Sequence, residues 1–167
     1  MKKVGILMGS DSDLPVLQKA FDTLESLQIP FEVHVYSAHR TPKEAKEFSE
    51  NARANGFGVI IAAAGMAAHL AGAVAANTTL PVIGIPVKSA QLDGMDALLS
   101  TVMMPPGMPV ATVGINGAQN AALLAAQIIA VEDGAVAEKL DKMRKDNAAK
   151  ILAKNENVSK EYSRLSY

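Results

Sequence analysis

The residues best suited to binding chemistry come directly after the first apolar run, at Gly9-Ser10-Asp11-Ser12-Asp13. Two hydroxyl groups at the start of a helix, where backbone N–H groups are free, favour a cradle for a phosphate. A simple capped turn between a strand and a helix fits the segment equally well. It matches neither a Walker loop nor the G-x-G-x-x-G fingerprint, so it does not support ATP or dinucleotide binding. The carboxylate of Asp13 suits ribose hydroxyls better than bare phosphate.

A second polar segment, Ser37-Ala38-His39-Arg40, follows the second apolar run. The forked, permanently charged guanidinium of Arg40 suits a phosphate or a carboxylate, and the imidazole of His39 suits proton transfer near neutral pH. A histidine in a loop is more often structural or solvated, but the position of His39 between a strand end and a helix start favours a functional role. His34, on the preceding strand, is predicted to be a surface residue.

A third segment, Ala64-Gly65-Met66-Ala67-Ala68-His69, offers small residues that let the backbone approach a ligand closely. His69 is either a core histidine in an apolar helix or a pocket residue, and both remain open. Lys88 begins a loop predicted to lie over the same rim. No cluster of histidines and carboxylates has the spacing of metal ligands, and no Ser-His-acid arrangement is evident. This leaves acid–base chemistry by histidine.

The composition excludes several classes of function. Among 167 residues, 16 basic side chains balance 17 acidic ones and aromatics make up 4%, which argues against nucleic-acid binding. The absence of cysteine excludes disulfides and thiolate sites. Residues 54–87 and 97–131 carry no charged side chain, but Pro, Gly and polar residues interrupt both stretches. We therefore predict burial that includes subunit contacts, and no membrane span. A cytoplasmic location is expected because no small-residue cleavage site follows a signal-like segment.

Hydrophobic periodicity predicts strands alternating with helices. The strands are expected at residues 3–8, 31–36, 59–63, 81–86 and 110–115. The helices are expected at 13–27, 41–54, 65–77, 94–101, 118–132 and 135–154. Asp13 is expected to cap the first helix, and Thr41 with Glu44 to form a capping box. The chain is thus predicted to be one domain, with an α/β core at 1–133, a C-terminal helix at 134–154 and a polar tail at 155–167.

This alternation predicts a three-layer, doubly wound parallel sheet. The strand order 2-1-3-4-5 is expected because it leaves the amphipathic second strand on an edge. Ligands of such sheets bind at the carboxyl ends of the strands, where the winding reverses. Three loops should therefore meet around one pocket that contains Ser10, Asp13, Ser37, His39, Arg40 and His69.

Five segments, "MGSDSD", "SAHRTP", "AAHLAG", "MPPGMPVAT" and "NAALLA", occur in this order. In order and spacing they resemble the 5-(carboxyamino)imidazole ribonucleotide mutases of purine biosynthesis, up to about Asp133. The resemblance implies a flavodoxin-like fold, a homo-octamer, a ribonucleotide substrate and no metal or organic cofactor. It also implies an isomerase that moves a carboxylate from the exocyclic nitrogen of the substrate to carbon 4 of its imidazole, by decarboxylation, CO2 retention and recarboxylation.

The resemblance also implies roles for individual residues. Ser10, Asp13 and Arg40 would bind the ribose phosphate portion with help from Ser12 and Ser37. His39 would shuttle the proton, and His69 would border the CO2 site. The predicted catalytic residues are His39 and His69, and the predicted substrate-binding residues are Ser10, Ser12, Asp13, Ser37, Arg40, Gly65, Met66, Ala67 and Lys88.

The sequence departs from the family pattern at three positions. Met66 stands where the family usually has Gly, Ala71 where Pro is common, and Lys88 where Gln is usual. A related branch carboxylates unsubstituted aminoimidazole ribonucleotide with free CO2, and "AAHLAG" favours the mutase branch over it. A flavodoxin-like binding module without chemistry is the other alternative.

Overall fold

The computed structural model describes residues 1–90 and 92–164. The strands are β1 (Lys3–Met8), β2 (Phe31–Val35), β3 (Phe57–Gly65), β4 (Val82–Val87) and β5 (Ala111–Thr112). The helices are α1 (Leu14–Ser26), α2 (Pro42–Asn51), α3 (Leu70–Ala75), α4 (Met95–Val102), α5 (Ala118–Ala130) and α6 (Gly134–Tyr162). A single 3-10 turn lies at Asp11–Asp13, and a tight turn with positive φ angles lies at Leu92–Gly94.

The sheet is wholly parallel and has the order β2-β1-β3-β4-β5, which confirms the predicted topology. Val4 of β1 lies opposite Phe31 on one side and Val59 on the other. Parallel strands end at the same edge of a sheet, so the loops after β1, β2, β3 and β4 all emerge there.

Two hydrophobic clusters cover the two faces of the sheet. Successive side chains of a strand point to opposite faces, and so Ile61 joins one cluster while its neighbour Ile60 joins the other. Helices α1, α5 and α6 pack on the first face, and α2 and α3 on the second. Five buried alanines let α5 lie close to the sheet: Ala118, Ala121, Ala122, Ala125 and Ala126.

Three predicted elements differ most from the structure. β5 has two residues rather than six, because the chain turns away at Asn116, whose φ is 57°. The helix expected from residue 65 begins only at Leu70, because Gly65 completes β3 and Met66 takes a left-handed φ of 53°. α6 continues past residue 154 to Tyr162, since no Gly or Pro interrupts residues 155–162. Residues 165–167 of the predicted tail lie outside the described residues.

Two predicted side-chain caps do not form. Asp13 and Thr41 precede α1 and α2, but neither side chain accepts a hydrogen bond from its helix. The prolines at the start of both helices sit where predicted. Asp133, which the sequence did not single out, caps α6 by accepting a hydrogen bond from the Val136 N–H at 3.3 Å. Within the described residues, no helix has the length and apolar character that crossing a membrane requires.

We predict that Gly84→Ala destabilises the fold, because neighbouring side chains already fill the space that an added Cβ would occupy. An added Cβ would lie 2.4 Å from Thr101 Cγ2 and 3.2 Å from Ala71 Cβ. Overpacking of this kind costs about 1–3 kcal/mol, so the melting temperature should fall by several degrees. Gly134→Ala is the matched control, because no atom lies within 4 Å of its added Cβ and alanine favours the helix. Equal melting temperatures for the two variants would contradict this account of the packing.

Candidate active site

A cleft of about 700 Å³ opens at the carboxyl ends of β1 to β4. The structure brings all eleven predicted site residues to its lining: Ser10, Ser12, Asp13, Ser37, His39, Arg40, Gly65, Met66, Ala67, His69 and Lys88. The predicted convergence of the loops is therefore present in the fold. The individual roles stay predictions.

Hydroxyl groups of the loop after β1 bond to one another. Ser10 Oγ accepts hydrogen bonds from the backbone N–H of Ser12 at 3.3 Å and from the Ser12 hydroxyl at 2.9 Å. The Ser10 hydroxyl in turn donates to Asp11 Oδ1 at 3.3 Å. These bonds close the 3-10 turn and hold two serines at the mouth of the cleft, where polar oxygens and N–H groups face a ligand site.

Asp13 is a carboxylate buried at the cleft wall, with 8% of its surface exposed. Burial raises the pKa of Asp13 above its ordinary value. A hydrogen bond from the Ser10 backbone partly offsets this rise in pKa, and the nearby charge of Asp11 adds to it. A carboxylate whose ionisation is costly and that does not cap its helix contributes little to folding. Such groups are typical of ligand sites.

Ser37 and Thr41 shape the loop after β2. Ser37 Oγ accepts hydrogen bonds from the backbone N–H groups of His39 at 3.3 Å and Arg40 at 3.2 Å. Thr41 Oγ1, which was expected to cap α2, instead accepts from the Ser37 N–H at 2.8 Å. The loop is thus fixed from within, and this fixes the backbone from which His39 and Arg40 project.

Arg40 ties the first two loops together. Its Nη2 donates to the carbonyl oxygen of Gly9 at 2.8 Å. A guanidinium has five N–H donors, so this anchor leaves most of the fork available to an anion.

His39 and His69 form a direct pair. His39 Nε2 and His69 Nδ1 lie 2.9 Å apart, and the rings meet edge to face with centroids 5.0 Å apart. Two neutral imidazoles share one proton across such a contact. If His39 donates it, the other nitrogen of His39 is unprotonated and can accept a proton. If His69 donates it, that nitrogen of His39 carries a hydrogen and is a hydrogen-bond donor.

The positions of the histidines decide the alternatives that the sequence left open. His69 is exposed at the start of α3, so it is a cleft residue and not a core histidine. His34 lies outside the cleft and is half-buried, stacked on Tyr36 and packed against Phe48. The prediction that His34 is a plain surface residue missed this aromatic cluster.

Backbone constraints shape the β3 and β4 side of the cleft. A Cβ at Gly65 would lie 3.1 Å from the carbonyl oxygen of Val87, so a larger residue would push the two strands apart. Lys88 is held at its backbone by a 2.8 Å hydrogen bond from its N–H to Asn116 Oδ1. Its Nζ lies 2.9 Å from Asp93 Oδ1, and this hydrogen bond holds the pKa of Asp93 below its usual range.

Sequence reasoning missed Thr41, Asn116 and Asp93 as contributors to the site. An available signal was the Asn116-Gly117 dipeptide, which is typical of a turn with positive φ. The described residues contain no group of three or more His, Asp or Glu side chains that could hold a metal ion.

Comparison with known proteins places the chain in a family. A family model described as AIR carboxylase matches residues 3–150. An N5-carboxyaminoimidazole ribonucleotide mutase from Pyrococcus abyssi is 56% identical, over 87% of this chain and 84% of its own. A protein of the same name from Bacillus subtilis is 52% identical, over 93% of this chain and 97% of its own. The crystal structure of Treponema denticola PurE superposes with a TM-score of 0.84 at 30% identity and covers 96% of this chain and 98% of that one.

We expect Asp13→Asn to stabilise the protein at neutral pH. Because the folded state raises the pKa of Asp13, the favourable contribution of this group is complete below the unfolded value near 3.8 and is lost as the pH rises through the folded value. At pH 7 the ionised carboxylate therefore costs stability. Removing it should gain on the order of 1 kcal/mol, about 2–4 °C in melting temperature.

The gain should shrink as the pH falls toward 4. Asp141→Asn, an exposed aspartate of α6, is the control and should change the melting temperature little at any pH. A lower melting temperature for Asp13→Asn at pH 7 would show that the carboxylate stabilises the fold instead.

Proposed function

The chain belongs to the AIR carboxylase family, and we propose that it is a mutase of purine biosynthesis. Its substrate would be 5-(carboxyamino)imidazole ribonucleotide and its product 4-carboxy-5-aminoimidazole ribonucleotide. The observation that carries the proposal is the His39–His69 pair, which lies in one cleft with Arg40 and the serines after β1. Relatives with the mutase name match at 48–56% identity over most of both chains, which supports the same conclusion.

The phosphate end of the substrate is assigned to the first two loops. Arg40 supplies a charged fork, and Ser10 and Ser12 supply hydroxyls beside the N-terminus of the 3-10 turn. In the structure both hydroxyls donate within the loop, so one of them must rotate to donate to a phosphate. Asp13, with a carboxylate suited to accept from hydroxyls, is assigned to the ribose, and Ser37 assists by fixing the loop.

The reaction needs one proton delivered and one proton removed. In the first half, the bond between the exocyclic nitrogen and the carboxylate carbon breaks, CO2 leaves, and His39 gives a proton to the nitrogen. In the second half, carbon 4 attacks CO2 to form the new carbon–carbon bond, and His39 takes the proton that carbon 4 loses. His39 thus returns to its starting state, and His69 holds it in a defined orientation through the shared hydrogen bond.

CO2 must stay near carbon 4 between the two halves. On the β3 side of the cleft, the small residues Gly65 and Ala67 and the side chains of Met66 and His69 form a wall where CO2 is proposed to rest. Retention converts the second half into an effectively intramolecular step. Acid–base assistance by one histidine typically contributes about 10²–10⁴-fold, so positioning must supply the remaining acceleration.

Association into a homo-octamer is proposed as well. Large apolar side chains are exposed on α4 and the nearby rim of the cleft: Met66, Leu92, Met95, Leu99, Val102 and Met103. A second exposed set follows the outer half of α6: Ile151, Leu152, Val158 and Tyr162. Patches of this kind favour contacts with further subunits. The cytoplasmic location stays a prediction.

We expect the purified protein to convert the carboxyamino substrate without added bicarbonate. If the carboxylate is labelled with ¹³C and unlabelled bicarbonate is present, the product should keep the label, because CO2 is retained in the cleft. Mass spectrometry of the product measures this. A requirement for bicarbonate, with loss of the label, would identify the direct carboxylase instead, and no turnover of either nucleotide would favour a binding module.

We predict that His39→Asn abolishes turnover and preserves substrate binding. Asparagine fills a similar space but cannot exchange protons near neutral pH, so kcat should fall by at least 10²-fold while the Kd for aminoimidazole ribonucleotide changes little. His34→Asn is the matched control, since His34 lies outside the cleft, and its kcat should stay near that of the parent protein. A near-normal kcat for His39→Asn would remove His39 from the mechanism.

A further inference from the structure

Two permanent positive charges stand at opposite ends of the cleft. Among the described residues that line it, only Arg40 and Lys88 carry such a charge. Arg40 follows β2 and Lys88 follows β4, with β1 and β3 between them. Three strand spacings of about 4.8 Å separate the ends of β2 and β4 by roughly 14 Å.

Lys88 has a hydrogen-bonded backbone and a half-exposed side chain. The 2.8 Å hydrogen bond from its N–H to Asn116 Oδ1 anchors the main chain. A Cβ at Gly94 would lie 3.2 Å from Lys88 Cα, so the following turn packs closely against it. The side chain itself is 54% exposed, and its ammonium forms an ion pair with Asp93. The charge can therefore change partners while the backbone stays in place.

Asp93 is an unusual ion-pair partner for Lys88. Its side chain is 85% exposed, and its backbone, like that of Leu92, takes a left-handed φ, 53° and 51° respectively. Exposed ion pairs contribute little to stability, because water and salt screen them. The fold nevertheless holds a non-glycine residue in this costly conformation where its carboxylate meets Lys88.

We infer that Lys88 binds the substrate's carboxylate. Before the substrate binds, the ammonium of Lys88 pairs with Asp93, and the substrate's carboxylate then displaces Asp93 from this pair. The inference rests on the proposed function and deepens it by assigning the second anionic group of the substrate. Lys88 would then be a specificity-determining residue that separates carboxylated nucleotides from the uncarboxylated one.

The carboxylate, rather than the phosphate, is assigned to Lys88 because of the strand order. A ribonucleotide carries its phosphate and its base at opposite ends. The hydroxyl-bearing turn and Arg40 lie on the β1–β2 side, so a phosphate bound there directs the base, with its carboxylate, toward β3 and β4. Lys88 lies at that end. One ammonium that approaches a carboxylate forms a charge-assisted hydrogen bond, which is stronger than a neutral one.

Isothermal titration with two nucleotides tests the inference. 4-Carboxy-5-aminoimidazole ribonucleotide carries both anionic groups, whereas 5-aminoimidazole ribonucleotide carries only the phosphate. For Lys88→Gln we expect the Kd of the carboxylated nucleotide to rise about tenfold, and that of the uncarboxylated nucleotide to stay within twofold. Lys88→Arg should keep most of the affinity, which separates loss of charge from loss of fold.

Asp93→Asn tests the competition. Without the Asp93 carboxylate, Lys88 should bind the carboxylated nucleotide several-fold more tightly. This gain in affinity should disappear when Lys88→Gln is also present. Lys142→Gln and Asp146→Asn, an exposed pair at 2.7 Å on α6, are the matched controls and should leave both Kd values unchanged.

Each outcome has one meaning. If Lys88→Gln raised the Kd of both nucleotides equally, Lys88 would be assigned to the phosphate or ribose, and the inference would be overturned. An unchanged Kd for both nucleotides would also overturn it. An unchanged Kd for Asp93→Asn would overturn the competition. If neither nucleotide binds the parent protein, the proposed function itself is wrong.

Discussion

The parallel sheet, with β1 between β2 and β3, is the constraint on which everything else depends. Because all strands run in the same direction, the loops that follow them lie at the same end of the sheet. Because β1 lies between β2 and β3, the loops after β2 and β3 flank the loop after β1. Residues that are distant in sequence, such as His39 and His69, are thereby brought within 2.9 Å. Burial of both faces of β3 fixes its register, since a slip of one residue would exchange the two hydrophobic clusters.

Within this frame, hydrogen bonds between loop residues decide which groups face a ligand. Ser37 and Thr41 lock the β2 loop, Arg40 bridges to Gly9, and Asn116 anchors Lys88. These contacts pre-organise the cleft, so little ordering cost is left to substrate binding. Asp13 differs from these loop residues, because burial of its carboxylate lowers the stability of the fold. Such a cost is expected where a group serves binding rather than folding.

The sequence predicted the strand order because the alternating residues of β2 indicate an edge strand and the continuous apolar run of β3 indicates a buried one. The convergence of the site residues follows from that order alone. Side-chain bonding was less predictable. Thr41 could cap α2 or bind the Ser37 backbone, and the sequence does not distinguish two hydrogen bonds of similar energy. The length of β5 and the start of α3 depend on left-handed residues, Asn116 and Met66, and for Met66 residue type gives no signal.

A crystal structure with 5-aminoimidazole ribonucleotide bound would test the central claim most directly, namely that these loops form one ribonucleotide site. The account predicts the phosphate within hydrogen-bonding distance of Arg40 and the serines after β1, with the imidazole ring beside His39. Another cavity, of about 690 Å³, lies at the opposite end of the strands, where β1, β3 and β4 begin, and is lined in part by Lys2, Arg53 and Asp133. A nucleotide found there, with the cleft at His39 unoccupied at saturating ligand, would contradict the account.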